Sequence, residues 1–331
     1  MSEIKFDTFV SSAERIKGER ERRIANAQRI LTFGVGYLDT ALGGIFPNDL
    51  VLIGAKTGVG KTQLATCIAM ANAQAGRRVH YFALEAEQDE IERRIKFALL
   101  SNMAREEGHP LYRRMQYLDW YAARVDIDAR RYEQRVQEEF DARFKTLHTF
   151  YRTGDFYGET FHRLALSVQD QTDLIIVDHL LYIDTQDPNE NRGYKLIVKQ
   201  VRDAALSMGK PVILLSHIRK GDARSQSLVP DIEDFHGTSD IPKISTKALM
   251  LAPARDQPAC EPGKLPTYIS PVKCRVDGSR CRYVGLVDYD ARTGTYENEF
   301  VLGQIEGNEF RPLAEEKLPY WAQPRSEEGM F

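Results

Sequence analysis

The stretch Leu50 to Thr62, L-V-L-I-G-A-K-T-G-V-G-K-T, constrains this chain more than any other. An apolar run, Leu50 to Ile53, reads as a strand. It ends in a loop holding Gly54, Gly58 and Gly60, after which Lys61 and Thr62 open a helical segment, Gln63 to Gln74. Glycines let such a loop turn its N–H groups inward onto phosphate oxygens. The positive end of the following helix also favours an anion. Ala55, Thr57, Gly58, Val59 and Gly60 are then expected around the phosphates of a nucleotide, with Lys61 on the β- and γ-phosphates and Thr62 on Mg²⁺. The pattern departs from G-x-x-x-x-G-K-[ST] at its first position: Ala55 stands there, and Gly54 comes one residue early. A mild change of this kind is tolerable because the phosphate-facing positions come later in the loop.

With 331 residues the chain can bury a full core, as one large domain or one domain with extensions. A net charge of −3 does not advertise nucleic acid, so any DNA contact must come from a local basic patch. The four cysteines form no C-x-x-C pair, which argues against a zinc site or disulfide frame and fits a reducing, cytoplasmic setting. No apolar stretch is long enough to span a bilayer, and the N-terminus does not read as a signal peptide.

Residues Ser11 to Ile30 read as an amphipathic helix, with Ala13, Ile16, Ile24, Ala27 and Leu31 near helical spacing. It lies on its own domain or docks on a neighbouring subunit. A short helix, Tyr37 to Leu42, precedes the phosphate loop. Arg77 to Leu84 is the next expected strand, ending in Glu85. There a carboxylate either orients and deprotonates an attacking water or simply opens a helix. Gln88 to Lys145 is helical in pattern, and its aromatics read as packing groups. Asp173 to Leu180, D-L-I-I-V-D-H-L, reads as a buried parallel strand, with Asp178 at its end as a partner for Mg²⁺. Pro211 to His217 is another, and His217 either meets a γ-phosphate or is structural.

Arg219, Lys220 and Arg224 fall in a basic, glycine-containing loop, Ile218 to Asp240. It grips a phosphodiester backbone or is merely solvated, since acids such as Asp222, Asp231, Glu233 and Asp234 dilute its charge. Tyr268 to Arg275 and Tyr283 to Tyr289 flank Asp277-Gly278-Ser279, a hairpin signal. Lys273 and Arg275 share one face near its tip, which suggests arginine-finger chemistry.

The order of these parts resembles the RecA-like motor domain of hexameric replicative helicases, both the bacterial ring helicases and the helicase half of phage helicase–primases. The similar stretches are G-V-G-Y-L-D-T-A-L-G-G at Gly34, the phosphate loop (Walker A), A-L-E at Ala83, L-I-I-V-D-H-L at Leu174, L-L-S-H at Leu214, H-G-T-S-D at His236 and V-K-C-R at Val272. The resemblance implies an α/β P-loop NTPase fold with a mostly parallel central sheet flanked by helices, a C-terminal β-hairpin and an N-terminal helical arm. The chain then divides into an arm (1–33), a motor (34–303) and a tail (304–331); the turn-forming and charged residues from Phe300 to Phe331 are expected to dock loosely. It implies ATP and Mg²⁺ as cofactors, Glu85 as catalytic base, Asp178 on Mg²⁺ and His217 as sensor of the γ-phosphate. Arg275 with Lys273 would act on the neighbour's ATP, Tyr289 would stack on adenine, and Arg219, Lys220 and Arg224 would lie near single-stranded DNA. It further implies a homo-oligomer, a hexameric ring, working in DNA replication with a separate primase or loader. Two other readings stay open on the residues alone: a RecA-like recombination or branch-migration ATPase, and a nucleotide-switched binding ATPase that is not a motor.

Overall fold

The computed structural model describes residues 13–124, 127–218, 227–235 and 240–323. Strands β1 (Leu50–Ala55), β2 (Val79–Ala83), β3 (Leu147–Tyr151), β4 (Leu174–Asp178), β5 (Val212–His217) and β6 (Lys247–Pro253) run parallel. Strands β7 (Lys264–Cys274), β8 (Val284–Asp290), β9 (Thr295–Glu306) and β10 (Glu309–Pro312) continue the sheet antiparallel. All ten form one sheet in the order β10-β9-β8-β7-β6-β1-β5-β4-β2-β3. The helices are α1 (Ala13–Ala27), α2 (Gly36–Leu42), α3 (Lys61–Gln74), α4 (Glu90–Glu106), α5 (Tyr117–Tyr121), α6 (Ile127–Arg143), α7 (Gly158–Ser167), α8 (Glu190–Met208) and α9 (Ile241–Ile244). None of the described helices is long and apolar enough to cross a membrane.

The continuous apolar runs of β1, β4 and β5 follow from burial on both faces, as parallel strands require. On β1, Val51, Ile53 and Ala55 face a core shared with α2, α3, α4 and α6, while Leu50 and Leu52 face the core of α7 and α8. Gly54, the early glycine, is set by packing. A Cβ there would meet the Phe235 ring at 2.6 Å and Met250 Sδ at 2.7 Å. Its backbone lies inside β1, and the phosphate turn starts only after it.

One buried ionic network fixes where β1 and β6 begin. Lys247 is fully buried and donates to Asp49 Oδ2 at 2.7 Å and to the Gly44 carbonyl at 2.7 Å. Thr246 donates to the other Asp49 oxygen at 2.7 Å and accepts from Leu50 N at 3.0 Å. Burial pulls the Lys247 ammonium below its ordinary pKa, and the Asp49 charge opposes that shift.

Two expectations change in detail. The hairpin joining β7 to β8 is no tight two-residue turn, because Asp277 accepts from Ser279 N and caps a short 3-10 segment, Gly278–Arg282. Arg280 then reaches back to the Thr40 and Ala41 carbonyls. The boundary expected at 303/304 falls inside β9, and the segment beyond is not loosely docked up to residue 323. It supplies β10, while Leu313, Leu318 and Trp321 pack against the core. Among the described residues the arm is helical over Ala13–Ala27, and residues 19–29 lie exposed, with Ile24 52% exposed.

Replacing Lys247 with Met strands a buried carboxylate, so chemical denaturation should show a loss of about 3–5 kcal/mol; a change within experimental error would mean the pair is dispensable. A second prediction concerns pH. His80 stacks on its register partner His148 with ring centroids 4.8 Å apart. Burial, with His148 and Arg78 nearby, lowers the His80 pKa from 6.5 to about 4. Between those values the unfolded chain binds a proton that the folded chain refuses, so stability rises with pH across that window and is lost as pH falls through it. His80→Phe should flatten the acid side of a plot of denaturation midpoint against pH, and an unchanged slope would discount this histidine.

Candidate active site

The C-terminal edge of the parallel strands gathers the residues singled out above. Register pairs Ala55 with His217 and Ala83 with Asp178, so the ends of β1, β5, β2 and β4 lie side by side. Open α/β sheets bind ligands at this edge. The loop after β1 turns at Gly58 (φ 79°) and Gly60 (φ 105°), a left-handed backbone that glycine adopts freely. Gly60 is the N-cap of α3 and Lys61 its first residue, which places the helix N-terminus at the loop.

A cleft of about 980 Å³ opens there. Thr57, Gly58, Val59, Gly60, Lys61, Thr62, Glu85, Asp178, His217 and Tyr289 all line it. Its far wall is aromatic, with Phe97, Tyr117, Tyr289 and Tyr296, and the last two rings lie 5.0 Å apart. Ala55 contributes its carbonyl, which accepts from Lys61 Nζ at 3.3 Å. Lys61 Nζ also lies 3.0 Å from His217 Nδ1, and Thr57 Oγ1 lies 3.3 Å from the same nitrogen.

Burial sets the electrostatics. Lys61 is held below its ordinary pKa by burial, against the pull of Asp178 and Glu85. Burial raises Asp178, although the hydroxyls of Thr62 and Tyr81 favour its charged form. Glu85 is raised by burial first and by the Asp178 charge second. Asp178 Oδ1 is buried and makes no hydrogen bond among the described residues, while Oδ2 accepts from Tyr81 at 2.9 Å. An unsatisfied carboxylate oxygen beside a threonine hydroxyl is a donor set that suits a hard divalent cation.

The structure does not bring every predicted residue here. Arg275 follows β7 at the opposite edge of the sheet, where Cys274 pairs with Lys247 at the start of β6 and Arg275 N donates to Thr246 O at 2.8 Å. Arg275 is exposed and makes no ion pair among the described residues. Lys273 does not project with it: its ammonium donates to the Pro242, Lys243 and Ser245 carbonyls at 2.7, 2.8 and 2.6 Å, closing the end of α9. Arg202 from α8 joins this cationic edge. Burial lowers both Arg202 and Lys273, with Arg275 adding to each. Arg219, Lys220 and Arg224 lie outside the described residues.

Three groups escaped the sequence reading. Tyr81 holds Asp178 from the neighbouring strand, and only the pairing of β2 with β4 reveals it. Arg94 and Glu90 reach the cleft as an ion pair, with 2.6 Å between Arg94 Nη2 and Glu90 Oε1. His179 sits directly after Asp178 in the motif V-D-H-L, and that adjacency was a usable signal.

Among solved structures, the chain is similar to a DnaB-like replicative helicase described with its interactions with primase (TM-score 0.68, 17% identity, covering 88% of this chain and 67% of that one). It is also similar to a second solved structure, that of an ATPase domain (TM-score 0.69, 17% identity, covering 88% of this chain and 100% of that one). At such identity these likenesses establish the RecA-like fold. No curated protein matches the chain in sequence. A family model for the DnaB-like helicase C-terminal domain matches residues 31–258, a span that includes the phosphate loop, Glu85, Asp178 and His217 and stops before Arg275 and Tyr289. Matched over most of its length, the chain belongs to the DnaB-like helicase C-terminal domain family, a family of ATP-hydrolysing helicases.

Proposed function

We propose that this chain is the motor of a ring-forming replicative DNA helicase, which translocates on single-stranded DNA and hydrolyses ATP with Mg²⁺ at the interfaces between identical subunits. The position of Arg275 carries this reading. A bare cation stands at the opposite edge of the sheet from its own cleft, with β1 between them. Six residues of strand span roughly 20 Å, beyond the reach of an arginine side chain. In this reading Arg275 serves a nucleotide held by another copy. A patch that serves the next copy's cleft makes a head-to-tail interface, which closes as a ring or continues as a filament. The exposed arm α1 supports the same assembly, since Ile24, Ala25 and Ala27 find little cover on their own domain.

A bound nucleotide with Mg²⁺ would supply the γ-phosphoryl group and neutralise part of its charge. Thr62 and Asp178 would hold the metal. Lys61 and the N–H groups of the loop would bind the phosphates, and Tyr289 would stack on the base. Glu85 would orient the attacking water and take its proton, a role favoured by a carboxyl raised above its ordinary range. His217, already against Lys61 and Thr57, would register the γ-phosphate. Arg275 of the adjacent copy would stabilise the charge on the transferring group. Lys273 would fix the end of the finger strand, since its ammonium is committed to its own chain. Arg219, Lys220 and Arg224 remain the proposed DNA contacts. A separate primase or loader is the expected partner, in keeping with the primase interactions of the similar replicative helicase. The proposed place of action is the cytoplasm.

Unwinding of a forked duplex with ATP and Mg²⁺, beside a Glu85→Gln control, tests the reading. DNA-stimulated hydrolysis without unwinding, together with filaments of open length, would favour the recombination ATPase instead. Hydrolysis indifferent to DNA would favour a nucleotide switch. Arg275→Ala should lower turnover on the order of 10³-fold while nucleotide binding persists. Mixing Arg275→Ala subunits with Glu85→Gln subunits should restore part of the activity, because some interfaces then pair an intact base with an intact finger. Mixtures as inactive as either parent would exclude action in trans.

A further inference from the structure

Behind two of the lining residues, Glu85 and His217, packs a group that none of these roles uses. The His179 side chain is 1% exposed, and its Nε2 lies 2.9 Å from Glu85 Oε2. Its Nδ1 accepts from Leu181 N at 3.3 Å, which leaves the proton of the neutral ring on Nε2, facing Glu85. The ring stands edge-on to His217, with centroids 4.4 Å apart and planes at 89°. Tyr182 closes another side at 4.9 Å and 82°. Since His217 itself touches Lys61 and Thr57, an unbroken line of contacts runs from Glu85 through His179 and His217 to the phosphate loop.

Glu85 needs such a support. Its side chain is 45% exposed, so burial alone does not fix where its carboxylate points. The Nε2–H of His179 is at contact distance from that carboxylate but not aligned into a hydrogen bond. A rotation of either side chain that aligned the two would make the bond.

We propose that His179 is a positioning residue that seats the Glu85 carboxylate through Nε2–H and ties that seat to His217, so that the base is aligned only while His217 is held at the phosphate. This rests on the reading of Glu85 as the base. The same three side chains also place donor atoms within 4.8 Å of one another, as a bound cation would need. Two observations oppose a cation there. The hydrogen bond from Leu181 keeps the proton on the nitrogen that would have to ligate it. The Lys61 ammonium stands 3.0 Å from His217 Nδ1 and would repel it.

The test compares steady-state hydrolysis by wild type, Glu85→Gln, His179→Leu, His179→Gln and the Glu85→Gln/His179→Leu double variant, together with binding of a non-hydrolysable ATP analogue. His179→Leu should lose about 10- to 100-fold in kcat, with KM and analogue affinity within about twofold of wild type. His179→Gln, whose amide N–H can take the place of Nε2–H, should recover most of that loss. The double variant should be no slower than Glu85→Gln alone, as residues acting through one group are not additive. Wild-type kcat in His179→Leu, or an additive loss in the double variant, overturns the proposal. Wild-type turnover in Glu85→Gln instead overturns the base assignment, whatever His179 does. Should His179→Leu fail to fold, ¹⁵N spectra of histidine-labelled wild type decide: a protonated Nε2 on His179 agrees, and a protonated Nδ1 overturns it.

Discussion

The carboxylate of Asp49 is the point on which the sheet is hung. It stands just before β1, and its two oxygens take Thr246 and Lys247 at the start of β6 and Phe46 N from the turn ahead of it. Two neighbouring parallel strands are thereby pinned at their first residues. A slip of one residue would turn every side chain of a strand to the other face. It would also move the phosphate loop relative to Asp178 and His217. A buried ion pair is a poor source of net stability, and its value here lies in register. The Lys247 ammonium, also over the Phe46 ring at 4.0 Å, has no other place to go.

At the opposite edge burial acts on Lys61, Asp178 and Glu85, and it acts against charge. Lys61 is pushed toward its neutral form, and so are Asp178 and Glu85. These groups stabilise one another only in part, and an unsatisfied oxygen on Asp178 shows the remainder. A site built in this way is preorganised for ligands that bring the missing charges, a polyanion for the lysine and a cation for the carboxylates. The near-neutral charge of the whole chain hides this, since the relevant charges are sequestered in one cleft.

Sequence alone carried β1, β2, β4 and β5 and the phosphate-loop side of the cleft. Apolar runs, glycine punctuation and acids at strand ends are local signals, and each came from a few adjacent residues such as Leu174 to Asp178. What stayed hidden depends on pairing between distant segments. Tyr81 shows no motif until β2 lies beside β4. Lys273 reads as a free cation until α9 brings three carbonyls to it. The longer connection after β7 was missed because Asp-Gly favours a tight turn in isolation, whereas here Asp277 caps a 3-10 segment that Arg280 anchors to α2. The tail was read as loose because its charge masks Leu313, Leu318 and Trp321, which need the far core to pack on.

The backbone bond from Arg275 N to Thr246 O has a mechanical meaning. Thr246 is fastened to Asp49 and Leu50, and these begin the strand that ends at the phosphate loop. A hydrogen-bonded strand in the middle of a sheet transmits displacement along its length with little give. β1 is therefore a short rod with its own nucleotide at one end and, in the proposed assembly, the neighbour's at the other. A tilt of the rod when the first is hydrolysed would be felt at the second with no loop in between to absorb it. The order in which successive subunits fire would then follow from the stiffness of six residues.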